Sequence, residues 1–424
     1  MGMMFVRRIV IVLSISIACV IIVLTLQFED GSQTRERSLE SIKSLPYVDW
    51  IADENNIHRQ GVAKYMQGNC SEGINVYCSR NQSKAYLMNL SGRIVHVWEK
   101  KSPGAENWQH VEMCDNGDLL VIVKDKMLMR MDWNSRIKWV IHMRFHHDMA
   151  FAENGDIYAL SRKESIKNIC GFPLPILDDF LLVISPEGEV KRGISFYDIL
   201  CENIPAERYL NILAWMNSKP FQSRLSSLPH NGEIFLTNLH PSDILHVNAV
   251  AVMDKNVQGF CKKGDLLISV LRLNLIGIID LDSNKLKWKW GSMDLDGPHD
   301  PSLLTSGNVL IFDNGFDRGY SRIVELEPKC KEIVWEYRAS PPGDFFSKTR
   351  GSCQRLPNGN TLIAESDKGR VFEITASGSI VWEFYNPDIQ EDKKKRAPIY
   401  RMKRIAERND YANARNSADG DSKK

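Results

Sequence analysis

One strand pattern repeats six times between residues 71 and 387, and this repeat limits the fold more than any other feature of the chain. Each copy holds a glycine turn, a short apolar strand, a spacer and a second apolar strand that ends near a Gly-x-Ile/Val-Val-Trp segment, as at residues 378–382. Short β-branched and aromatic strands separated by turn residues at this period predict a β-propeller. The six copies predict an all-β fold with six blades.

The repeat also sets the expected domain organisation. We expect the propeller to span residues 70–408, with a disordered tail over residues 409–424. Residues 197–243 interrupt the pattern and contain a helix-like stretch, so we interpret them as an insertion placed over the channel mouth as a lid. A surface loop without a role is the alternative. Because the first copy lacks its opening strand, we expect residues 398–406 to supply it and close the ring.

The N-terminus predicts a membrane anchor. Arg7 and Arg8 precede residues 9–26, which carry no charge and are long enough to cross a bilayer as a single helix. No small-x-small cleavage site follows, so we interpret residues 1–28 as an uncleaved transmembrane anchor and residues 29–69 as a spacer. The flanking arginines favour a cytoplasmic N-terminus. The propeller is then expected on the periplasmic face of the cytoplasmic membrane.

Charge and cysteine content narrow the partners. A formal net charge of +1 gives no overall signature of polyanion binding, so we expect no nucleic-acid partner. Of nine cysteines, eight lie beyond the apolar stretch, and none has a metal-binding spacing. The pairs Cys70–Cys78 and Cys330–Cys353 are plausible disulfides in an oxidising compartment, with buried free thiols as the alternative. No sequence feature specifies an oligomeric state.

Three histidines occupy corresponding places in the repeat. His147 lies eight residues before Gly155 and His299 lies eight before Gly307, while His246 opens a third such run. Equivalent positions of successive blades converge on the axis of a propeller, so these imidazoles predict a reaction centre. Side chains alternate along a regular strand, which favours His147 for the channel and a position between blades for its neighbour His146.

Four segments carry a family resemblance. They are HHD at residues 146–148, DILHVNAV at residues 243–250, GPHD and GNVLIFDNG within residues 297–315, and RLPNGNTLI with GSIVWEF in the last copy. In this order they resemble the bacterial arylsulfotransferases, which use aryl sulfates rather than a nucleotide sulfate donor. The resemblance implies a six-bladed propeller that transfers a sulfuryl group between phenols through a sulfohistidine, without a cofactor. It places His246 and Asn248 at the family's His-x-Asn pair and His299 at the covalent histidine.

The same residues suit this chemistry on physical grounds. A neutral imidazole is a competent nucleophile near pH 7, so attack by His299 on sulfur would divide one displacement into two easier steps. His246 is the candidate to protonate the leaving phenolate and to deprotonate the incoming phenol. His147 and Asn248 offer hydrogen bonds to the sulfuryl oxygens, and His146 is a further candidate substrate-binding residue. The expected partners are a small aryl sulfate and a phenol.

The expected arginine is displaced from the family pattern. The resemblance implies an arginine in the blade 4 strand at the place that Leu271 occupies here, whereas Arg272 falls one residue later. A slip of one residue turns a side chain to the other face of a strand unless a bulge restores it. Arg272 is therefore the candidate catalytic cation if a bulge is present, and Arg350, before the inner strand of blade 6, is the reserve.

Two other functions are consistent with the sequence. Three convergent imidazoles could hold zinc or copper, although no carboxylate or thiol is evident as a fourth ligand, and we assign no metal ligands. The displaced arginine instead favours a catalytically inactive propeller that serves as a binding scaffold.

Overall fold

Six antiparallel sheets form the blades of a propeller, which confirms the all-β prediction. The computed structural model describes residues 51–52, 56–80, 82–100, 106–217 and 242–407. None of the helices in these ranges is long and apolar enough to cross a membrane. The anchor expected at residues 1–28, the middle of the insertion and the expected tail lie outside the described residues, so those expectations stay predictions.

Each blade has four strands, and blade 6 has a fifth on its outer edge. From the inner to the outer edge, the strands are Met402–Ile405, Ile74–Cys78, Lys84–Met88 and Ile94–Glu99 in blade 1; Trp108–Met113, Leu119–Val123, Met127–Met131 and Ile137–Ile141 in blade 2; Phe145–Phe151, Ile157–Ile169, Phe172–Ile184 and Val190–Ser195 in blade 3; Val247–Val252, Leu266–Val270, Leu275–Asp280 and Lys285–Trp290 in blade 4; Pro298–Leu303, Val309–Asp313, Arg322–Glu327 and Glu332–Tyr337 in blade 5; and Ser352–Arg355, Thr361–Glu365, Arg370–Ile374, Ile380–Tyr385 and Gly61–Tyr65 in blade 6. A small separate sheet joins Ile51–Ala52, Lys395–Arg396 and Ile389–Gln390.

The end of the chain closes the ring, as the sequence predicts. Met402–Ile405 pairs with Ile74–Cys78 and becomes the inner strand of blade 1. Part of the expected spacer is also a strand, because Gly61–Tyr65 pairs with Ile380–Tyr385 at the outer edge of blade 6. Both ends of the described chain therefore cover strand edges that would otherwise expose unpaired backbone groups.

Hydrophobic packing between blades explains why the middle strands are apolar runs rather than alternating ones. Every residue of Leu119–Val123 is buried, whereas Lys285–Trp290, at an outer edge, alternates between exposed and half-buried residues. A continuous apolar strand is expected where both faces of a sheet are covered, and here each inner face meets the next blade. The core of the domain is thus divided among the interfaces between blades.

The repeated tryptophans lie where one blade packs against the next. Four of them donate an indole N–H to a carbonyl in the adjacent blade and so satisfy their polar atom while the ring stays packed. These bonds run from Trp139 to Pro186 (3.0 Å), from Trp288 to Pro328 (3.1 Å), from Trp335 to Ala376 (3.2 Å) and from Trp382 to Leu90 (2.8 Å).

The two plausible disulfides do not form. All eight cysteines in the described ranges are free thiols. Cys78 lies within blade 1 and directs its thiol at the carbonyl of Trp108 in blade 2, away from Cys70. Cys330 is exposed on a turn of blade 5, whereas Cys353 is buried in the inner strand of blade 6. The fold separates the members of each pair, which one-dimensional spacing could not reveal.

The insertion begins with two helices. Phe196–Leu200 starts after Ser195, whose side chain accepts the amide N–H of Asp198 as an N-cap. Ala206–Met216 follows and packs on the long hairpin of blade 3 with several apolar side chains. From this helix Arg208 donates to the carbonyl of Arg272, so the described part of the insertion reaches the rim of the central channel.

Arg401 joins carboxylates from three blades on the axis. Its guanidinium contacts Asp148 of blade 3 at 3.0 Å, Asp300 of blade 5 at 2.6 Å and Glu112 of blade 2 at 3.8 Å. All three acids are largely or fully buried; Asp148 and Asp300 depend on this cation for neutralisation, whereas Glu112 also pairs with Lys403 at 2.8 Å. Arg401, which precedes the closing strand Met402–Ile405, therefore links the inner strands of blades 2, 3 and 5.

Substitution of Arg401 by methionine should lower the free energy of unfolding by about 3–5 kcal/mol, because it leaves buried carboxylates without their cation. Arg338→Met is the matched control: Arg338 is 59% exposed and 3.8 Å from Glu336, and its loss should cost less than about 1 kcal/mol. Urea unfolding followed by tryptophan fluorescence measures both values. Equal effects of the two substitutions would contradict the role of Arg401.

Candidate active site

The inner strands of blades 3, 4 and 5 are irregular where the predicted histidines lie. Residues 146–148 stand opposite Leu160 alone, and a smaller register shift follows His299 in blade 5. His147, His246 and Asp300 have left-handed φ values of 56°, 53° and 49°. Such conformations are costly for residues other than glycine and occur at bulges that redirect side chains. The bulges thus aim polar side chains into the channel.

The bulge in blade 3 overturns the expectation that His146 faces away from His147. The strand is not regular there, and Nδ1 of His146 lies 2.7 Å from Nδ1 of His147. The eight-residue spacing shared by His147 and His299 also does not make their positions equivalent, because the bulge at residues 146–148 is one residue longer than the one at residues 300–301. Both rings of the His-His pair belong to one cluster.

His246 joins the same cluster from blade 4. Its Nε2 lies 3.3 Å from Nε2 of His147, and its Nδ1 lies 2.6 Å from a carboxylate oxygen of Asp243. At the other end of the cluster, Nε2 of His146 is 3.3 Å from Asp179, in a bent contact. Three imidazoles therefore lie in a row between two buried carboxylates.

Burial and neighbouring charges set the protonation of this row. Burial lowers the pKa of His147 well below its ordinary value, and the adjacent His246 and His146 lower it further. Burial acts to raise the pKa of Asp243, but the nearby His246 and Arg272 outweigh it and hold the pKa at about 2. Asp243 is thus ionised beside His246 at neutral pH.

Asn314 holds His299 in one tautomer. Its amide nitrogen donates to the carbonyls of Ser347 (2.6 Å) and Arg350 (2.8 Å), which fixes the amide orientation. The amide oxygen then accepts Nδ1–H of His299 at 2.7 Å. The lone pair of His299 must therefore lie on Nε2, a buried atom that no group in the described part of the chain reaches by a hydrogen bond. Burial lowers the pKa of His299 to about 4.

Asn248 acts on the backbone beside His299. Its side-chain amide donates to the carbonyl of Pro298 at 2.9 Å, and the hydroxyl of Ser269 donates to the same oxygen at 2.8 Å. Two blade 4 side chains therefore hold the blade 5 strand that carries His299. The predicted substrate contact of Asn248 is reduced to its remaining N–H and its carbonyl oxygen.

The two candidate arginines have different surroundings. The blade 4 strand ends at Val270, so Arg272 lies on a 3-10 turn where strand alternation no longer applies, and its guanidinium is 3.9 Å from Asp243. Arg350 is buried and pairs through Nη1 with Asp367 at 3.0 Å. Its Nη2 is buried and has no hydrogen-bond partner among the described residues.

A ring of polar residues lies around the channel, and sequence reasoning found only one of its members, Arg272. Each blade contributes one member, which lies one or two residues after the fifth residue of the blade's second strand. Counting from the start of each second strand would therefore have found the ring. Within this ring, burial lowers the pKa of Lys124 to about 7, and the positive charge of the neighbouring Arg80 contributes to the shift. In blade order, the ring is Arg80, Lys124, Arg162, Arg272, Asn314 and Asp367.

Two other possible sites have less support. Among the described residues, no group of three or more His, Cys, Asp or Glu side chains is arranged to hold a metal ion, which leaves the metalloprotein alternative without a site there. An open cleft of about 1080 Å³ lies beside the outer strands of blades 5 and 6, and none of the site histidines lines it. Its Arg370 is already paired with Glu365 and Glu383.

Two solved structures that are similar to this chain share little sequence with it. A protein of unknown function from Bacteroides caccae has 14% identity and a TM-score of 0.50, over 80% of this chain and all (100%) of that one. A catalytically inactive virginiamycin B lyase from Staphylococcus aureus has 12% identity and a TM-score of 0.42, over 81% of this chain and 99% of the lyase. At 14% identity the likeness to the Bacteroides caccae protein concerns the fold alone. No curated protein sequence matches the chain.

The family model described as arylsulfotransferase (ASST) matches residues 110–387, more than half of the chain. The match begins in blade 2, ends after blade 6 and includes every histidine of the site. It confirms the resemblance carried by the four sequence segments. The chain therefore belongs to the arylsulfotransferase (ASST) family.

Proposed function

We propose that this protein transfers a sulfuryl group from an aryl sulfate to a phenol through a sulfohistidine at His299. One observation carries the proposal: Asn314 fixes Nδ1–H of His299, so a buried Nε2 lone pair is directed into the channel. Family membership supports the general class, sulfuryl transfer by a transferase. The site geometry supports the identity of the nucleophile.

The electrostatics of the site favour a neutral nucleophile beside cationic groups. The lowered pKa of His299, about 4, keeps its lone pair available at neutral pH. The unpartnered Nη2 of Arg350 is a donor for a sulfuryl oxygen, and Lys124 and Arg272 add positive charge around the channel. Such fixed donors stabilise the negative charge that develops on the sulfuryl oxygens and the leaving phenolate.

The reaction divides into two balanced half-reactions. Nε2 of His299 attacks sulfur, the N–S bond forms as the S–O bond to the donor phenolate breaks, and the phenolate takes a proton. His246, beside ionised Asp243, is the proposed source of that proton. The acceptor phenol then returns a proton, its oxygen attacks sulfur and the N–S bond breaks. The enzyme ends in its starting state, with no cofactor consumed.

Brief exposure of the enzyme to an aryl sulfate without acceptor should add the mass of one sulfuryl group to the peptide that contains His299. His299→Ala should abolish the labelled peptide and reduce transfer on the order of 10³-fold or more, because the nucleophile is lost. Mass spectrometry under neutral conditions detects the label. The control is His142→Ala at an exposed histidine, which should change neither result. Labelling that persists in His299→Ala would exclude His299 as the nucleophile.

The pH dependence of the first half-reaction tests the electrostatics of His299. With para-nitrophenyl sulfate, whose phenolate leaves without a proton, the single-turnover rate should stay level on acidification and fall only near pH 4. Protonation of the imidazole removes the attacking lone pair, and burial delays that event to low pH. Samples quenched in alkali report the released nitrophenolate. An acid limb centred near the ordinary imidazole value of about 6.5 would contradict this assignment.

We also propose that the reaction takes place on the periplasmic face of the cytoplasmic membrane. The support is the uncharged stretch of residues 9–26 after Arg7 and Arg8. The full chain should sediment with membranes, and a chain that lacks residues 1–28 should stay in the soluble fraction. Recovery of the full chain in the soluble fraction after cell breakage would contradict the anchor.

A further inference from the structure

The row of three imidazoles with a carboxylate at each end contains residues that the two half-reactions do not use. From one end to the other, the contacts are Asp243 to His246 at 2.6 Å, His246 to His147 at 3.3 Å, His147 to His146 at 2.7 Å and His146 to Asp179 at 3.3 Å. None of these five residues is more than 3% exposed. Only His246 has a role in the reaction so far.

The carboxylates at the ends set the tautomers along the row. Asp243 holds a proton on Nδ1 of His246, so the neutral ring has its lone pair on Nε2. At the other end, the charge of Asp179 favours a proton on Nε2 of His146. Nδ1 of His146 then accepts Nδ1–H of His147. His147 is therefore also left with its lone pair on Nε2.

The two Nε2 atoms thus face one another at 3.3 Å with a lone pair each. Such an arrangement is repulsive, and one additional proton turns it into a hydrogen bond between an imidazolium and an imidazole. Burial, together with His246, lowers the pKa of His147 well below its ordinary value, so the added proton belongs on the His246 side, next to ionised Asp243. The negative charges at both ends of the row stabilise it.

We propose that His246 and His147 share one proton between their Nε2 atoms, that this is the proton exchanged with the phenols, and that His146 and Asp179 are positioning residues that fix the tautomer of His147. The inference rests on the proposed sulfuryl transfer. It gives a role to two buried residues that touch no reacting group.

The proton balance closes over one cycle. In the first half-reaction the oxygen of the leaving phenolate takes the shared proton as the S–O bond breaks and the N–S bond to His299 forms. Both Nε2 atoms are then left with lone pairs that repel one another. In the second half-reaction the acceptor phenol restores the proton to this pair as its oxygen forms a bond to sulfur and the N–S bond breaks. No proton from solvent and no co-reactant is needed.

Several charged and titratable groups act on the shared proton, so the test targets the end of the row that does not contact the reacting phenols. The groups are Asp243, Arg272, Lys124, Arg162, His299, His146, Asp179 and Tyr400. Asp179 lies beyond His146, and its other carboxylate oxygen accepts the backbone N–H of Val247 at 2.8 Å, so the substitution used there must keep an acceptor oxygen.

Two variants and two donors separate a proton role from a structural one. In single-turnover release of the phenolate, which follows the first half-reaction alone, His146→Leu should act about 10²-fold more slowly than wild type on phenyl sulfate, whose phenolate is a strong base and needs a proton. In the same measurement with para-nitrophenyl sulfate, the variant should be nearly unchanged. Asp179→Asn keeps the shape and an acceptor oxygen but removes the charge that holds the proton. It should therefore shift the basic limb of the phenyl sulfate pH profile to lower pH.

Controls separate failure of this inference from failure of the proposed function. His142→Leu, at an exposed position, should behave as wild type with both donors. Equal slowing with both donors in the two site variants would show a structural role and overturn the inference, as would wild-type rates with phenyl sulfate. Absence of transfer by wild type from either donor would instead remove the proposed function itself. If His146→Leu does not fold, the isosteric Asp179→Asn still decides the question.

Discussion

Closure of the ring by the last strand is the constraint on which the rest of the molecule depends. Met402–Ile405 completes blade 1, and the preceding Arg401 binds Asp148 and Asp300 on the axis. Each of these aspartates follows directly after a site histidine in the sequence. One cation at the end of the chain therefore holds the carboxyl half of two His-Asp pairs, and their histidine halves are directed to the reaction centre. The contacts that close the ring therefore also hold the backbone beside two site histidines.

The site uses strained backbone that the propeller can support. His147 and His246 have left-handed conformations that cost on the order of 1–3 kcal/mol each. They persist because the flanking strands are paired and because two carboxylates of blade 3 hold the inner strand of blade 4. Asp148 accepts the backbone N–H of Val250, and Asp179 accepts that of Val247. The carboxylates of blade 3 thus fix the backbone of blade 4. A regular strand would have sent adjacent residues to opposite faces and could not have brought two consecutive imidazoles into one row.

The sequence was sufficient to predict the structural features that follow the repeat. It was insufficient to predict those that interrupt it. Six blades, closure by the chain end and the tryptophan ties all follow from periodicity. The position of His146 did not, because a bulge changes alternation without leaving a signature in composition. The role of Asn314 was not visible either, since it lies in an Asp-Asn-Gly segment of the kind common in turns, and its orientation toward His299 depends on carbonyls of the segment before blade 6. Lys124 could be placed in the polar ring only once the start of its strand was known.

The arrangement of charge explains how one buried channel can hold both the proposed nucleophile and the proposed proton donor. Burial alone would leave every imidazole neutral, which suits His299 but would disable an acid. The neutral asparagine behind His299 fixes its tautomer without raising its basicity as a carboxylate would. Behind His246 the partner is instead the carboxylate of Asp243, 2.6 Å from Nδ1, which places a negative charge beside the ring. His299 and His246 are equally buried, but Asn314 contacts the first ring and Asp243 the second. This difference in partner, an amide or a carboxylate, therefore distinguishes their proposed roles.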